Sequence, residues 1–191
     1  LPTPSRRADT MVMAVQHYYT AADLLDFPED GNKYEVVHGE LLVSPSPRML
    51  HQLVVGRLGF LLHGYLERFP LGVSYPGGDV QWGQDSLVIP DLLVVDRESA
   101  QRNDWKQIDI PLLVVEVLSP SSSRQDRFIK RRLYQEMQIP LYWLVDAEAG
   151  VVEVWTPELT FPVVEHETIR WHPAGAAEPL VIALAELFRE V

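Results

Sequence analysis

Cysteine is absent from the 191-residue chain. That removes disulfides, zinc–thiolate sites, iron–sulfur clusters and cysteine nucleophiles at once. A chain without thiols fits a reducing cytosol, and a cytoplasmic location is the expectation. Long apolar runs are missing too. The best stretch, Leu53 to Leu62, is interrupted by Arg57 and falls short of the roughly 18 residues a membrane span needs, so no membrane association is expected. Positive charge is scarce: Lys and Arg total 16 against 27 Asp and Glu, a net of −11. A uniformly acidic surface repels phosphate backbones. There is no Walker-A lysine motif, no G-x-S-x-G elbow and no H-E-x-x-H or H-x₃-H spacing, which takes the main support from nucleotide hydrolysis, serine-esterase chemistry and a histidine-rich metal site.

Hydrophobic residues at 47% and charged residues at 23% are the balance of a globular protein. The length suits one domain, expected over residues 16–191. Residues 1–15 read as a disordered tail or a remnant. Arg6-Arg7 hints at a twin-arginine signal, but the apolar stretch Met11 to Val15 is too short for one, and Met11 or Met13 would serve as an initiator. The charge is also uneven. Arg124, Arg127, Lys130, Arg131 and Arg132 face Asp126 alone, a local +4 that leaves −15 on the other 182 residues. A polyanion therefore has one place to dock.

Thr20-Ala-Ala-Asp-Leu-Leu is a short helix with a near capping box. Tyr34 to Val37 and Glu40 to Val43 flank His38-Gly39 as a hairpin. From Arg48 to Phe69 apolar residues recur at three and four, an amphipathic helix that Pro70 ends. Two nearly continuous apolar runs follow, Leu87 to Val95 and Leu112 to Leu118, and read as strands buried on both faces of a sheet. Ser119-Pro-Ser-Ser-Ser123 leads into a basic helix, Arg124 to Gln138. Leu141 to Val145 and Val151 to Trp155 are two more strands, and Leu180 to Phe188 is a short apolar segment. The order predicts a mixed α/β fold.

Each buried run carries one acid, Asp91 in the first and Glu116 in the second. A buried carboxylate without a partner costs several kcal/mol or loses its charge. Three answers are open: a divalent cation held by hard oxygen ligands, a salt bridge to Arg or Lys, or a place at the strand's exposed end. Two such acids on adjacent strands favour the cation.

Pro90-Asp91, with Glu116-Val117-Leu118 beginning 25 positions after Asp91, resembles the signature of the PD-(D/E)XK nuclease superfamily. The blocks YEVVHGELLVSPSP, IPDLLVV, LLVVEVLSPSSSRQDRFIKRRLY and IPLYWLVDAEAGVVEVW, in that order, are most similar to its Uma-two family of endonuclease-like proteins, and the resemblance runs from Tyr19 to about Trp155. It implies an α/β, restriction-endonuclease-like fold: a mixed central sheet flanked by helices, with an N-terminal hairpin. It also implies Mg²⁺ (or Mn²⁺) held by Asp91, Glu116 and the backbone carbonyl of Val117. The usual lysine two residues after the second acid is replaced by Leu118. Some branches carry it on the next helix, where Lys130 is the one lysine; the bland alternative is a solvated charge. The same resemblance brings His51 towards the metal, and of the hairpin acids Glu35 and Glu40 it is Glu40 that is expected to face the cleft.

Along the basic helix Ile129, Leu133 and Met137 form a stripe to pack on the sheet. Asp126, Lys130 and Tyr134 fall on the border between core and solvent, where the Lys130 ammonium would reach the rim. Arg124, Arg127 and Arg131 lie further round, where they could meet phosphates near the helix N-terminus or form an ordinary solvated face. The expected function is a Mg²⁺-dependent endonuclease acting on nucleic acid, with DNA and a homodimer implied by the family. The alternative is an inactive nuclease-fold protein serving as a binding or assembly module.

Overall fold

Two hydrophobic faces of one sheet organise the chain in a computed structural model that describes residues 17–190. The expected tail, residues 1–15, lies outside the described residues. The first strands, β1 (Lys33–Val37) and β2 (Glu40–Ser44), form the expected hairpin. Its turn is His38-Gly39, both at positive φ (48° and 80°). That is the combination a tight primed turn requires, and it suits glycine in the second place. Helix α1 (Met49–Arg68) follows and stops before Pro70. The next strands are β3 (Gly72–Tyr75), β4 (Val80–Trp82), β5 (Ser86–Val88) and β6 (Leu92–Asp96).

Here one expectation needs correction. The apolar run Leu87 to Val95 is two strands in two sheets, not one strand. Pro90 has no N–H to give a ladder, and Ile89-Pro90-Asp91 is the break between β5 and β6. Asp91 therefore stands just ahead of its strand rather than within it. After the short helix α2 (Arg97–Arg102) comes β7 (Leu113–Val117), buried at every position. The basic segment opens as a π-helical turn, Gln125–Lys130, and continues as α3 (Arg131–Glu136). Strands β8 (Tyr142–Asp146) and β9 (Val151–Trp155) follow. The C-terminal segment, broken by Pro157, Pro162, Pro173 and Pro179, adds β10 (Val163–Glu165), β11 (Thr168–Trp171), β12 (Leu180–Ala183) and α4 (Leu184–Leu187), more structure than its sequence pattern suggests.

Strands β10-β9-β8-β7-β6-β3 make a six-stranded mixed sheet in which only β7 and β8 pair in parallel. The π turn and α3 are the crossover that this parallel pair demands. A smaller sheet, β2-β1-β5-β4, packs beside it. Side chains alternate across the central sheet. Leu92, Val94, Leu113, Val115 and Val117 face α1 and the antiparallel pair β11–β12, against Val54, Leu58 and Leu62. Leu93, Val95, Val114 and Leu144 face the other way, against Leu133 and Tyr134 of α3 and Val37, Leu42 and Val88 of the smaller sheet. Among the described residues, no helix is long and apolar enough to cross a membrane.

Candidate functional site

The same alternation places the two strand acids. Glu116 shares parity with Val114, and Asp91 continues the parity of Leu93 and Val95, so both belong to the face that looks towards α3 and the smaller sheet. Leu92 pairs with Val115, which sets Asp91 opposite Glu116 one step beyond the ladder. Both line an open cleft of 290 Å³, walled by the Ser44–Pro47 segment, the start of α1, Pro76-Gly77 and Ser119.

Three elements contribute charge here. From β1 come Lys33 and Glu35, two residues apart and on one face. Glu35 is fully buried; its Oε1 accepts from the N–H of Ile89 at 2.7 Å and lies 2.7 Å from Lys130 Nζ. Lys33 Nζ donates to the carbonyl of Ile89 at 3.0 Å and stands 3.6 Å from Asp91 Oδ1. The hairpin thus grips both polar groups of Ile89 and fixes the segment that carries Asp91. From α1 comes His51, whose Nε2 is 2.9 Å from Asp91 Oδ2. The backbone N–H of Val117 donates to the same oxygen at 2.8 Å. In a strand the N–H and C=O of one residue point to one edge, so the Val117 carbonyl lies on the Asp91 side.

The π turn supplies the third group. Its wide ring, closed by the N–H of Arg131 on the carbonyl of Asp126, rotates successive residues by less than an α-helix does. Asp126 and Lys130 both end buried, while Ile129, expected on the buried stripe, is only half-buried. Lys130 is 1% exposed. Its ammonium does not reach the rim as the α-helical phase predicts. It lies 2.9 Å from Glu116 Oε1, 2.7 Å from Glu35 Oε1 and 3.6 Å from Asp126 Oδ1. Tyr134 O–H donates to Glu116 Oε1 at 2.8 Å.

A second correction concerns Glu40. It is exposed at the far end of β2, paired with Val37 in the hairpin register. Glu35 is the hairpin acid that joins the cluster. The signal was present: Glu35 is an acid between apolar neighbours, as Asp91 and Glu116 are. Lys33 joins the cluster without such a signal, and Tyr134, on the Asp126–Lys130 line of the basic helix, reaches Glu116 although its spacing gave it no role.

A family model described as "Uma2: Putative restriction endonuclease" matches residues 21–180. The chain belongs to the Uma2 family. A solved structure, described as a "putative nuclease belonging to DUF820" from Anabaena variabilis ATCC 29413, superposes with a TM-score of 0.75 at 20% identity. It covers 89% of this chain and 97% of its own, and it shows that the Uma2 chain has the restriction-endonuclease-like fold. No curated protein matches the chain.

A third correction falls on the basic helix of this Uma2 chain. Arg127 is tied to Asp146 at 2.9 Å and to Glu153. Arg131 donates to the Arg127 carbonyl and to Gln135, and its guanidinium stacks 4.8 Å over Trp155. Arg127 ties the π turn to β8 and β9, and Arg131 holds α3 against Trp155 of β9, so both guanidinium groups are engaged within the fold rather than free. Arg124 is exposed and has no ion pair among the described residues.

Charge decides what the Uma2 cleft can hold. Four carboxylates (Glu35, Asp91, Glu116, Asp126) meet two ammonium groups (Lys33, Lys130), a surplus of two negative charges when all are ionised. Burial would raise Asp91, but the His51 hydrogen bond, the Lys33 charge and the Val117 N–H outweigh it and lower its pKa to about 2. Burial dominates at Glu116 and lifts it to about 8, against the pull of Lys130 and Lys33. Burial also raises Asp126. Lys130 would be lowered by burial, but its three carboxylates raise it well above the usual lysine value. Among the described residues, no three His, Asp or Glu side chains form a ready-made metal cage. Two carboxylates and the Val117 carbonyl suit Mg²⁺ nonetheless, because that ion keeps several waters of its own and takes one or two carboxylates. With the Glu116 proton released, the surplus is two negative charges, which matches a divalent cation.

Proposed function

We propose that the cleft is the active site of a metal-dependent endonuclease that hydrolyses phosphodiester bonds in DNA, with Mg²⁺ or Mn²⁺ as cofactor. The observation that carries this is the placement of Asp91 and Glu116 on one sheet face, in one open cleft, among more negative than positive charge. Asp91, Glu116 and the Val117 carbonyl would hold the ion. When bound, it would polarise the scissile phosphate and lower the pKa of a water.

The chain's own groups do the rest. His51 and the Val117 N–H fix Asp91 Oδ2 and keep the carboxylate ionised. Lys130 and Tyr134 bind Glu116 Oε1 and aim the carboxyl group. Lys130 is thus a positioning residue that acts through Glu116, with Glu35 and Asp126 holding its ammonium in place. A homodimer, with one cleft for each strand of a duplex, belongs to the same proposal. The burial of Lys130 favours a second reading, in which the fold serves as a non-catalytic binding module.

Binding of Mn²⁺ separates the two. A ligand that binds only the folded state raises stability by mass action, so saturating Mn²⁺ should raise the melting temperature of the native chain, and Asp91→Ala should abolish the rise. An equal rise in Asp91→Ala would place the ion elsewhere. No rise in either protein would favour the binding module.

A further inference from the structure

Resting on the phosphodiesterase reading of the cleft, we propose that Lys33, on the N-terminal hairpin, is the residue whose ammonium contacts a substrate phosphate. The cluster holds two ammonium groups, and their surroundings differ. Lys130 has three protons and three carboxylates within 3.6 Å, at 1% exposure. It could meet a phosphate only by abandoning a buried carboxylate, and it does not line the cleft. Lys33 has one hydrogen bond, to the Ile89 carbonyl. Its carboxylate neighbours stand at 3.6 and 3.9 Å, beyond good hydrogen-bond length. Two protons are therefore left for another acceptor. Its side chain is 27% exposed and lines the cleft beside Asp91.

A non-bridging phosphate oxygen in the cleft would be a stronger acceptor for those protons than water. It would approach with Asp91 on one side and the Ser44–Pro47 segment on the other. Arg127 and Arg131 are occupied against β8 and β9, and among the described residues Lys33 is the Lys or Arg that lines the cleft. The hairpin then has two jobs. Glu35 holds Lys130 and the Ile89 segment in place, and Lys33 binds substrate.

The test is binding of a short fluorescein-labelled DNA, single- and double-stranded. It is measured by anisotropy between about 50 and 200 mM salt, with Ca²⁺ replacing Mg²⁺ as a hard oxygen-seeking dication. Lys33→Gln should weaken binding by about tenfold and make the log K against log salt slope shallower by about 1. Lys33→Arg should keep the wild-type slope, and Lys106→Gln, at an exposed lysine, should behave as wild type. Melting curves of each variant check the fold. Unchanged affinity and slope in Lys33→Gln overturns the assignment. Weaker binding at an unchanged slope makes Lys33 a purely structural clamp on Ile89 and also overturns it. If the wild-type chain binds neither form of the DNA, the phosphodiesterase reading fails and the assignment falls with it, an outcome the wild-type control tells apart from failure at Lys33 alone.

Discussion

The ammonium of Lys130 stands 2.9 Å from Oε1 of Glu116, and neither residue is more than 1% exposed. Glu35 and Asp126 share the same ammonium. Removing one partner of a buried ionic group strands the others. Lys130→Met should therefore destabilise the protein by about 3 kcal/mol, seen as a lower urea midpoint. The double variant Lys130→Met/Glu116→Gln should recover part of that loss, because it leaves fewer unpaired carboxylates. A single variant within about 1 kcal/mol of wild type, the range of an exposed pair, would mean that the cluster is not held by this ammonium.

Glu116 and Asp91 predict opposite pH effects. Glu116 is raised in the folded state from an ordinary 4.5 to about 8. Its contribution to stability is complete below pH 4.5 and is lost as pH rises through about 8, since the folded chain keeps a proton that the unfolded chain has released. Asp91 is lowered from 3.8 to about 2, so its contribution is complete above pH 3.8 and is lost as pH falls through about 2. Urea midpoints without metal should decline from pH 5 to pH 8, and Glu116→Gln should flatten that decline. An equal decline in both proteins would assign it to other groups.

The two hairpin acids should differ sharply. Glu40 is exposed and Glu35 is fully buried, with Lys130 and the Ile89 N–H on one oxygen. Glu40→Gln should leave melting temperature and metal affinity unchanged. Glu35→Gln should cost about 2 kcal/mol and weaken Mn²⁺ binding through the Asp91 segment. Calorimetric titration of both variants checks this, and equal behaviour would break the link between hairpin and cleft.

Much of this arrangement is legible in the sequence. The hairpin, α1 with its stop at Pro70, and strands β7, β8 and β9 follow from turn residues and apolar spacing. Asp91 and Glu116 stood out because an acid in a Val/Leu run needs a partner. Other features were hidden for physical reasons. Pro90 splits one apolar run between two sheets, although its composition is that of a continuous strand. The π turn shifts the phase of the basic helix, so a lysine placed at the border by α-helical arithmetic is buried. Parity within the hairpin could separate Glu35 from Glu40 only once the direction of the core was known. Arg127 and Arg131 read as a docking patch because their partners, Asp146, Glu153 and Trp155, lie on strands distant in sequence.

Those two arginines give a further check. Arg127 pairs with Asp146 and Glu153 at 30% exposure. Arg127→Ala should lower stability by about 1 kcal/mol, the discounted value of a partly solvated pair. It should leave the salt dependence of any DNA binding as it was. A slope shallower by about 1 in this variant would return the basic helix to the role of docking surface.

Cleavage of a labelled nucleic acid tests the central claim most directly. Wild-type chain and Asp91→Ala are incubated with single- and double-stranded DNA and with RNA, in Mg²⁺, in Mn²⁺ and in EDTA. Phosphodiester cleavage of DNA should appear with wild type in either metal, vanish in EDTA and vanish in Asp91→Ala. Cleavage that persists in Asp91→Ala or in EDTA, or a wild-type chain that cuts none of the substrates in either metal, would contradict the account.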